Sequence, residues 1–325
     1  MAESEVVIAM DLGGSWVRVA IVDLAGRVVW RERRPTGSRE GKDAVLRNVD
    51  AALEEGISRA AGMPVAGVGL GLAGPVDPET GTMYRPPNIP DLDGVSFKAL
   101  WGGRLRWPVV TGNDATLAAL GEYVYGAGAG AEMLVYITVS TGIGAGVVVA
   151  GQPLWGAHGM AGEVGHMTID WNGVECKCGG SGCLEEMASG TGIARIARER
   201  LPHGPRSLIA EASGGDPDRA TAAVVFDAAR RGDPLAEDIL RGVSRALGAG
   251  LVNVLHVLDP DVIVLGGAVT QNWEYLRPAV EDYIRGHAMP HVHSLGYRLE
   301  VSPLGDDVGL LGAAALAWRA AGRLP

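Results

Sequence analysis

Val6-Val-Ile-Ala-Met10-Asp11-Leu-Gly13-Gly14-Ser15-Trp16-Val17-Arg-Val-Ala-Ile-Val22 is the stretch that decides how the chain is read. The apolar run Val6–Met10 closes on Asp11, a glycine pair follows, and a second apolar run fills Val17–Val22. Such runs on either side of Gly-Gly read as strand, tight turn, strand. The pattern returns in the second half. There Met133–Val139 reads as a strand, 140–146 as a Gly-rich turn and Val147–Ala150 as the returning strand. Each half therefore opens on the same device, an echo of architecture and not a demonstrated duplication.

Outward from the first turn, Val45, Val49, Leu53 and Ile57 recur four apart within 43–60, the stripe of an amphipathic helix. Val68–Leu72 reads as a strand ending at Gly74-Pro75, and Tyr84–Pro90 as a Pro-rich surface connection. Val109-Val110 leads into Gly112-Asn113-Asp114, with a helix over Ala115–Leu120. Val243, Leu247, Leu251 and Val254 mark a helix stopped by Asp259-Pro260, after which the buried strand Val262–Leu265 runs into Gly266-Gly267. A last helix starts near Asp306-Asp307, whose carboxylates suit a helix N-terminus. Alternating strands and helices predict an α/β protein with an interdomain cleft, and 325 residues fit two domains or one large one.

The charge balance excludes some partners. With 38 acidic against 28 basic side chains, a net charge of −10 argues against nucleic acid, which needs concentrated Lys and Arg. The N-terminus carries Glu3 and Glu5 and no basic region, so it is not a signal peptide. The uncharged stretch Met133–Gly151 is broken by Ser140, Thr141, Gly142, Gly144 and Gly146, and reads as two buried strands and not as a membrane span. Glycine is 49 of 325 residues, about twice the ordinary share, as expected of a folded chain with many turns. All three Cys fall within 176–183, which speaks for a metal site over a disulfide framework and for the cytoplasm.

His166, Cys176, Cys178 and Cys183 give the spacing H-x9-C-x-C-x4-C, with Gly179, Gly180 and Gly182 between the last two Cys. Three thiolates and one imidazole form a closed tetrahedral set suited to structural Zn²⁺, with no open position for substrate. Asp11-Leu-Gly13-Gly14-Ser15 and Ser140-Thr141-Gly142-Ile-Gly144-Ala-Gly146 each follow a strand, and are either simple hairpin turns or phosphate cradles. An Asp at the end of the first strand adds a group able to hold Mg²⁺ or its water. No G-x4-G-K-[ST] occurs, so this is not a P-loop protein. Gly266-Gly267 leaves room for a nucleotide to approach. Asn113-Asp114 sits where either a helix cap or a catalytic pair belongs. Glu163 and Glu185 flank the metal knot, as surface acids or as grips for hydroxyl groups. His287, His291 and His293 read as a solvated loop, and Arg31, Arg33 and Arg34 as an exposed strand end.

Taken in order, several motifs resemble one family. They are Asp11-Leu-Gly-Gly-Ser-Trp-Val-Arg-Val-Ala20, Gly69-Leu-Gly-Leu-Ala-Gly-Pro-Val-Asp77, Asn113-Asp114, Ser140–Gly146, Glu163-Val-Gly-His166 and Cys176-Lys-Cys-Gly-Gly-Ser-Gly-Cys-Leu-Glu185. Together they resemble the ROK family of repressors, open reading frames and sugar kinases, from residue 6 to the Asp306–Ala317 segment. Ser15 stands where Thr is usual, and Trp16 follows it. The resemblance implies a two-domain, actin-like (ribonuclease H-like) sugar kinase fold with ATP and sugar in the cleft. Its domains would be residues 1–114 with the C-terminal helix 306–325, and residues 115–305 carrying the zinc-binding loop 166–183.

By the same resemblance, Asp114 is the catalytic base and Asn113 its sugar-binding neighbour. Glu163, His166, Glu185 and Asn88 contact sugar hydroxyls, with His166 also on Zn²⁺. Asp11, Gly13, Gly14, Ser15, Thr141, Gly142 and Gly144 serve the phosphates, and Gly266 and Gly267 lie near the adenosine. The expected activity is ATP- and Mg²⁺-dependent phosphorylation of a hexose, glucose first, in a homo-oligomer (dimer or tetramer). Kinases for N-acetylmannosamine, mannose, allose or fructose share these residues, and some relatives accept polyphosphate. Family repressors carry a helix-turn-helix domain before the first phosphate strand. Only five residues precede Val6 here, so a DNA reader is not expected. A non-catalytic sugar sensor is the remaining alternative.

Overall fold

The computed structural model describes residues 5–201 and 207–325. Its first elements are β1 (Val6–Leu12), β2 (Trp16–Asp23), β3 (Val28–Pro35), α1 (Lys42–Arg59), β4 (Val65–Leu72), α2 (Phe97–Gly102), β5 (Val109–Asn113) and α3 (Asp114–Tyr125). There follow β6 (Met133–Val139), β7 (Ile143–Val149), β8 (Gln152–Pro153), α4 (Leu184–Ala188), α5 (Gly190–Arg200), α6 (Leu208–Ala212) and α7 (Ala222–Arg230). The chain closes with α8 (Pro234–Leu258), β9 (Val262–Gly266), α9 (Trp273–His287), α10 (Pro290–Leu295), β10 (Arg298–Val301) and α11 (Val308–Ala320). Two five-stranded sheets result, ordered β3-β2-β1-β4-β5 and β10-β9-β6-β7-β8. No helix among the described residues is long and apolar enough to cross a membrane.

The chain divides into two compact units. Met1–Tyr136, Gly146–Gly162 and Ser302–Pro325 form one, Ile137–Ala145 and Glu163–Val301 the other. These bounds differ from the expected break after residue 114, because α3 belongs to the first unit. Its Gly121 and the Gly312 of α11 bring the two helix backbones together: a Cβ on Gly121 would lie 2.9 Å from the Gly312 nitrogen and the Val308 carbonyl oxygen.

In the first unit, β1 is buried along its whole length and its side chains alternate between two cores. Ile8, Met10 and Leu12 join Val45, Val49 and Leu53 of α1, while Val7 and Ala9 face Leu310, Ala313, Ala317 and Trp318 of α11. The stripe read from 43–60 thus packs as expected. Strand β4 repeats the alternation with one face emptied: Val68, Leu70 and Leu72 fill the α1 core. Gly67 and Gly69 present no side chain, and at Gly69 α11 lies so close that a Cβ would fall 2.0 Å from the Ala313 carbonyl oxygen. Gly69 is therefore a packing glycine.

At the far end of α3, Glu122 is fully buried. Its carboxylate accepts from the Ala127 N–H at 3.0 Å and from the Ser302 hydroxyl. Burial raises its pKa, and those hydrogen bonds pull it back in part. Asp306 and Asp307 do not cap α11 with their side chains: Asp307 pairs with Arg31, and the Asp306 carbonyl accepts from Arg18. The second unit is built on α8, capped by Asp233, whose side chain accepts from the Ala236 N–H at 2.8 Å. The helix ends at Asp259 in the left-handed conformation (φ 48°), before Pro260.

Candidate active site

Strands β1, β4 and β5 run parallel, and Leu12, Leu72 and Asn113 lie in register at their carboxyl ends. Open α/β sheets present ligand sites at these ends. The β1–β2 turn stands there, closed by a hydrogen bond from the Gly13 N–H to the Trp16 carbonyl at 2.9 Å. Thr36 braces it by donating its hydroxyl to the Gly13 carbonyl at 2.7 Å. A Cβ on Gly14 would fall 2.9 Å from the Asn88 Cβ, so this glycine admits the Pro-rich segment that carries the exposed Asn88. That segment is only in part a surface connection, since Pro86 and Ile89 are buried. Asp11 lies directly opposite Arg18 in the hairpin, and Arg18 donates from Nε (2.9 Å) and an Nη to its Oδ2. The carboxylate expected to face Mg²⁺ is thus half of an ion pair through Oδ2.

Asn113 and Asp114 mark the step from β5 to α3. Asn113 caps the helix, its Oδ1 accepting from the N–H groups of Ala115 (3.0 Å) and Thr116 (3.1 Å). Its Nδ2 donates to the Gly74 carbonyl at 3.0 Å. Asp114 is half-buried in the first turn and accepts from the Ala115 N–H at 2.8 Å. A carboxylate there is favoured by the positive end of the helix dipole. Gly146, in β7, lies against the same turn: a Cβ would be 2.6 Å from the Thr116 Cα.

In the second unit, His166, Cys176, Cys178 and Cys183 converge, with all candidate ligand atoms within 4.8 Å of one another. Cys178 and Cys183 are 3.6 Å apart at sulfur, and Cys176 Sγ is 3.7 Å from His166 Nδ1. A tetrahedral Zn²⁺ with Zn–S of about 2.3 Å and Zn–N of about 2.05 Å sets these edges at about 3.8 and 3.6 Å. The donor set fits the ion. With Nδ1 on the sulfur side, Nε2 faces outward, 4.0 Å from Glu163 Oε2. Surrounding protein raises the pKa of the Glu163 carboxyl, while His166 lowers it and Glu185 raises it further.

The second Gly turn is shorter than expected. β7 starts at Ile143, so the turn is Ser140-Thr141-Gly142, while Gly144 and Gly146 are strand residues. The hairpin closes early because the Ser140 N–H donates to the Gly142 carbonyl at 2.9 Å. Glu185 Oε2 accepts from the Ile143 N–H at 2.8 Å. Gly267, with φ 92°, abuts the Val139 carbonyl, placing the end of β9 beside the start of this turn.

The sequence profile of the ROK family matches residues 7–320. The chain belongs to the ROK family. It is 35% identical over 311 residues to a glucokinase of Halalkalibacterium halodurans, covering 94% of this chain and 92% of that one. A glucokinase of Thermotoga maritima is 35% identical over 309 residues, with 95% and 96% covered. Among solved structures, a ROK family glucokinase from Streptomyces griseus, in complex with glucose and AMPPNP, superimposes with a TM-score of 0.81. It is 31% identical, with 97% and 99% of the two chains covered. The fold is the two-domain α/β sugar kinase fold.

The candidate residues of this ROK chain divide into two groups, one in each unit. Asp11, Gly13, Gly14, Ser15, Asn88, Asn113 and Asp114 share one end of the first unit's sheet. Glu163, His166, the three Cys, Glu185, Thr141, Gly142, Gly266 and Gly267 belong to the second unit. His287, His291 and His293 are not a loop: the first ends α9 and the others lie in α10, all exposed. Arg33 lies over the Trp16 ring at 4.7 Å and Arg34 pairs with Glu32. From sequence, Arg18 and Thr36 have no role in the site, and Gly74 reads only as the end of a strand. Only Arg18 had a signal, being directly across the Gly turn from Asp11.

Proposed function

We propose that this ROK protein is an ATP-dependent hexose kinase that transfers the γ-phosphoryl group of ATP to the 6-hydroxyl of glucose. The observation that carries this reading is the Asp114 carboxylate on the first turn of α3, at the carboxyl end of β5, beside Asn113. The relatives named as glucokinases, at 35% identity over nearly the whole chain, supply the substrate class.

A sugar hydroxyl is a weak nucleophile, so Asp114 accepts its proton as the oxygen attacks phosphorus. The γ-phosphoryl group then leaves ADP, and the rest of catalysis is positioning and charge neutralisation. Asn113 keeps one Nδ2 hydrogen beyond its bond to Gly74 and offers it to the sugar. Asn88, Glu163, Glu185 and His166 Nε2 hold the remaining hydroxyls. The turns at Gly13-Gly14-Ser15 and Thr141-Gly142 receive the phosphates, and Gly266-Gly267 the adenosine. Gly144 supports the latter turn from within β7. Mg²⁺ bound with ATP would neutralise phosphate charge, and Asp11 Oδ1, outside the pair with Arg18, is the oxygen that would hold the ion or its water. His166, Cys176, Cys178 and Cys183 would hold Zn²⁺ as a closed set that supplies rigidity and leaves no position for substrate. The clustered cysteines agree with a cytoplasmic protein.

An ADP-release assay with Mg-ATP against glucose, mannose, N-acetylmannosamine, fructose and allose tests the reading. The highest kcat/KM is expected for glucose. Another winning sugar replaces the substrate and keeps the mechanism, whereas no turnover with ATP or polyphosphate overturns the kinase.

A further inference from the structure

The segment that follows the last metal ligand grips the second Gly turn at three points. Cys183 is succeeded by Glu185, whose Oε2 accepts from the Ile143 N–H at 2.8 Å. Gly190 donates its N–H to the Ser140 carbonyl at 2.7 Å. The Thr191 hydroxyl donates to the Thr141 carbonyl at 2.7 Å. Ser189 caps α5, accepting from the Gly192 N–H at 3.0 Å, and so fixes the residues that make the last two contacts. The turn has no side chain of its own against Glu185: a Cβ on Gly142 would lie 2.5 Å from its Oε2. Carboxylate and turn are therefore built around each other.

We infer that Glu185 is a positioning residue for the nucleotide: its Oε2 sets the conformation of Ser140-Thr141-Gly142, so the metal knot and the phosphate turn are one mechanical piece. This rests on the kinase reading of that turn and gives Glu185 a task separate from any contact with sugar. A carboxylate accepting from a backbone N–H makes a charge-assisted hydrogen bond, stronger than a neutral one. Losing it frees the first amide of β7 and lets the turn sample conformations that must be reordered each time a nucleotide binds. Glu185 thus acts on nucleotide affinity when no sugar is present, which a residue serving sugar alone does not.

The test uses the zinc-loaded protein, with binding of a nonhydrolysable ATP analogue and Mg²⁺ measured by calorimetry in the absence of sugar. Glu185→Ala is expected to weaken binding about tenfold or more, and to speed hydrogen exchange at the Ile143 amide by a similar factor. Glu185→Gln, which keeps an acceptor oxygen, should restore most of both. Gly142→Ala, which pushes the carboxylate away and leaves it chemically intact, should reproduce the loss. Zinc content measured on each variant separates this effect from collapse of the knot. Equal nucleotide affinity and equal Ile143 exchange in wild type, Glu185→Ala and Gly142→Ala overturn the inference and leave the kinase standing. A wild-type protein that binds no nucleotide overturns the kinase reading itself. If Glu185→Ala does not fold, Gly142→Ala and Glu185→Gln decide.

Discussion

Asn113 donates from Nδ2 to the Gly74 carbonyl at 3.0 Å, so one side chain caps α3 and ties the end of β5 to the end of β4. Gly74 in turn packs on Pro86, in the segment that carries Asn88. Replacing Asn113 by Ala deletes the cap acceptor and the tie together. A loss of about 1–3 kcal/mol is expected. Asn113→Asp keeps the cap and loses only the donor, so urea unfolding should rank it between Ala and wild type.

Asp114→Asn removes the proton acceptor and keeps the shape. Turnover should fall about 10²–10⁴-fold, with glucose affinity nearly unchanged. Steady-state kinetics alongside direct sugar binding would show this, and near-normal kcat in the variant refutes the base assignment.

Chelation should act through structure. The three thiols and His166 lie close enough to share one metal ion, so a Zn²⁺ bound there would tie residues 166–183 together, with Glu163 and Glu185 just outside them in sequence. Removing Zn²⁺ should lower the melting temperature and weaken sugar binding, and both should recover on adding Zn²⁺ back. Metal-free protein with unchanged sugar affinity would sever that link.

Glu122 should give the stability a pH signature. Its folded-state pKa lies above its ordinary value of 4.5. The folded chain therefore holds the proton more tightly than the unfolded one. That contribution is fully present below 4.5 and is lost as pH rises through the raised value. Glu122→Gln has no such proton. The stability of the variant relative to wild type should grow from pH 4.5 upward and then level off, as read from unfolding free energies across pH 4–8. A constant difference would refute the role of burial here.

Much of the site was legible because its signals are local. The spacing of His166 and the three Cys implied a tetrahedral metal set, and Asn113-Asp114 between a strand and a helix left a cap and a catalytic pair both open. The ion pair of Arg18 with Asp11 was within reach, since a turn of known length places the two opposite each other. The glycines were harder. Gly69, Gly142 and Gly144 look alike in sequence, yet one admits α11, one fits beside a carboxylate and one is a strand residue.

The sequence by itself determined the alternation of strands and helices, the two Gly hairpins, the candidate metal cluster and the family, because periodicity and short spacings are properties of neighbouring residues. The tertiary structure alone decided that α3 belongs with α11, that Glu122 is buried and that Glu185 holds the Ile143 amide. The last two residues are 42 positions apart. Their contact follows from how whole elements pack, and no local pattern encodes which backbone N–H a distant carboxylate will meet.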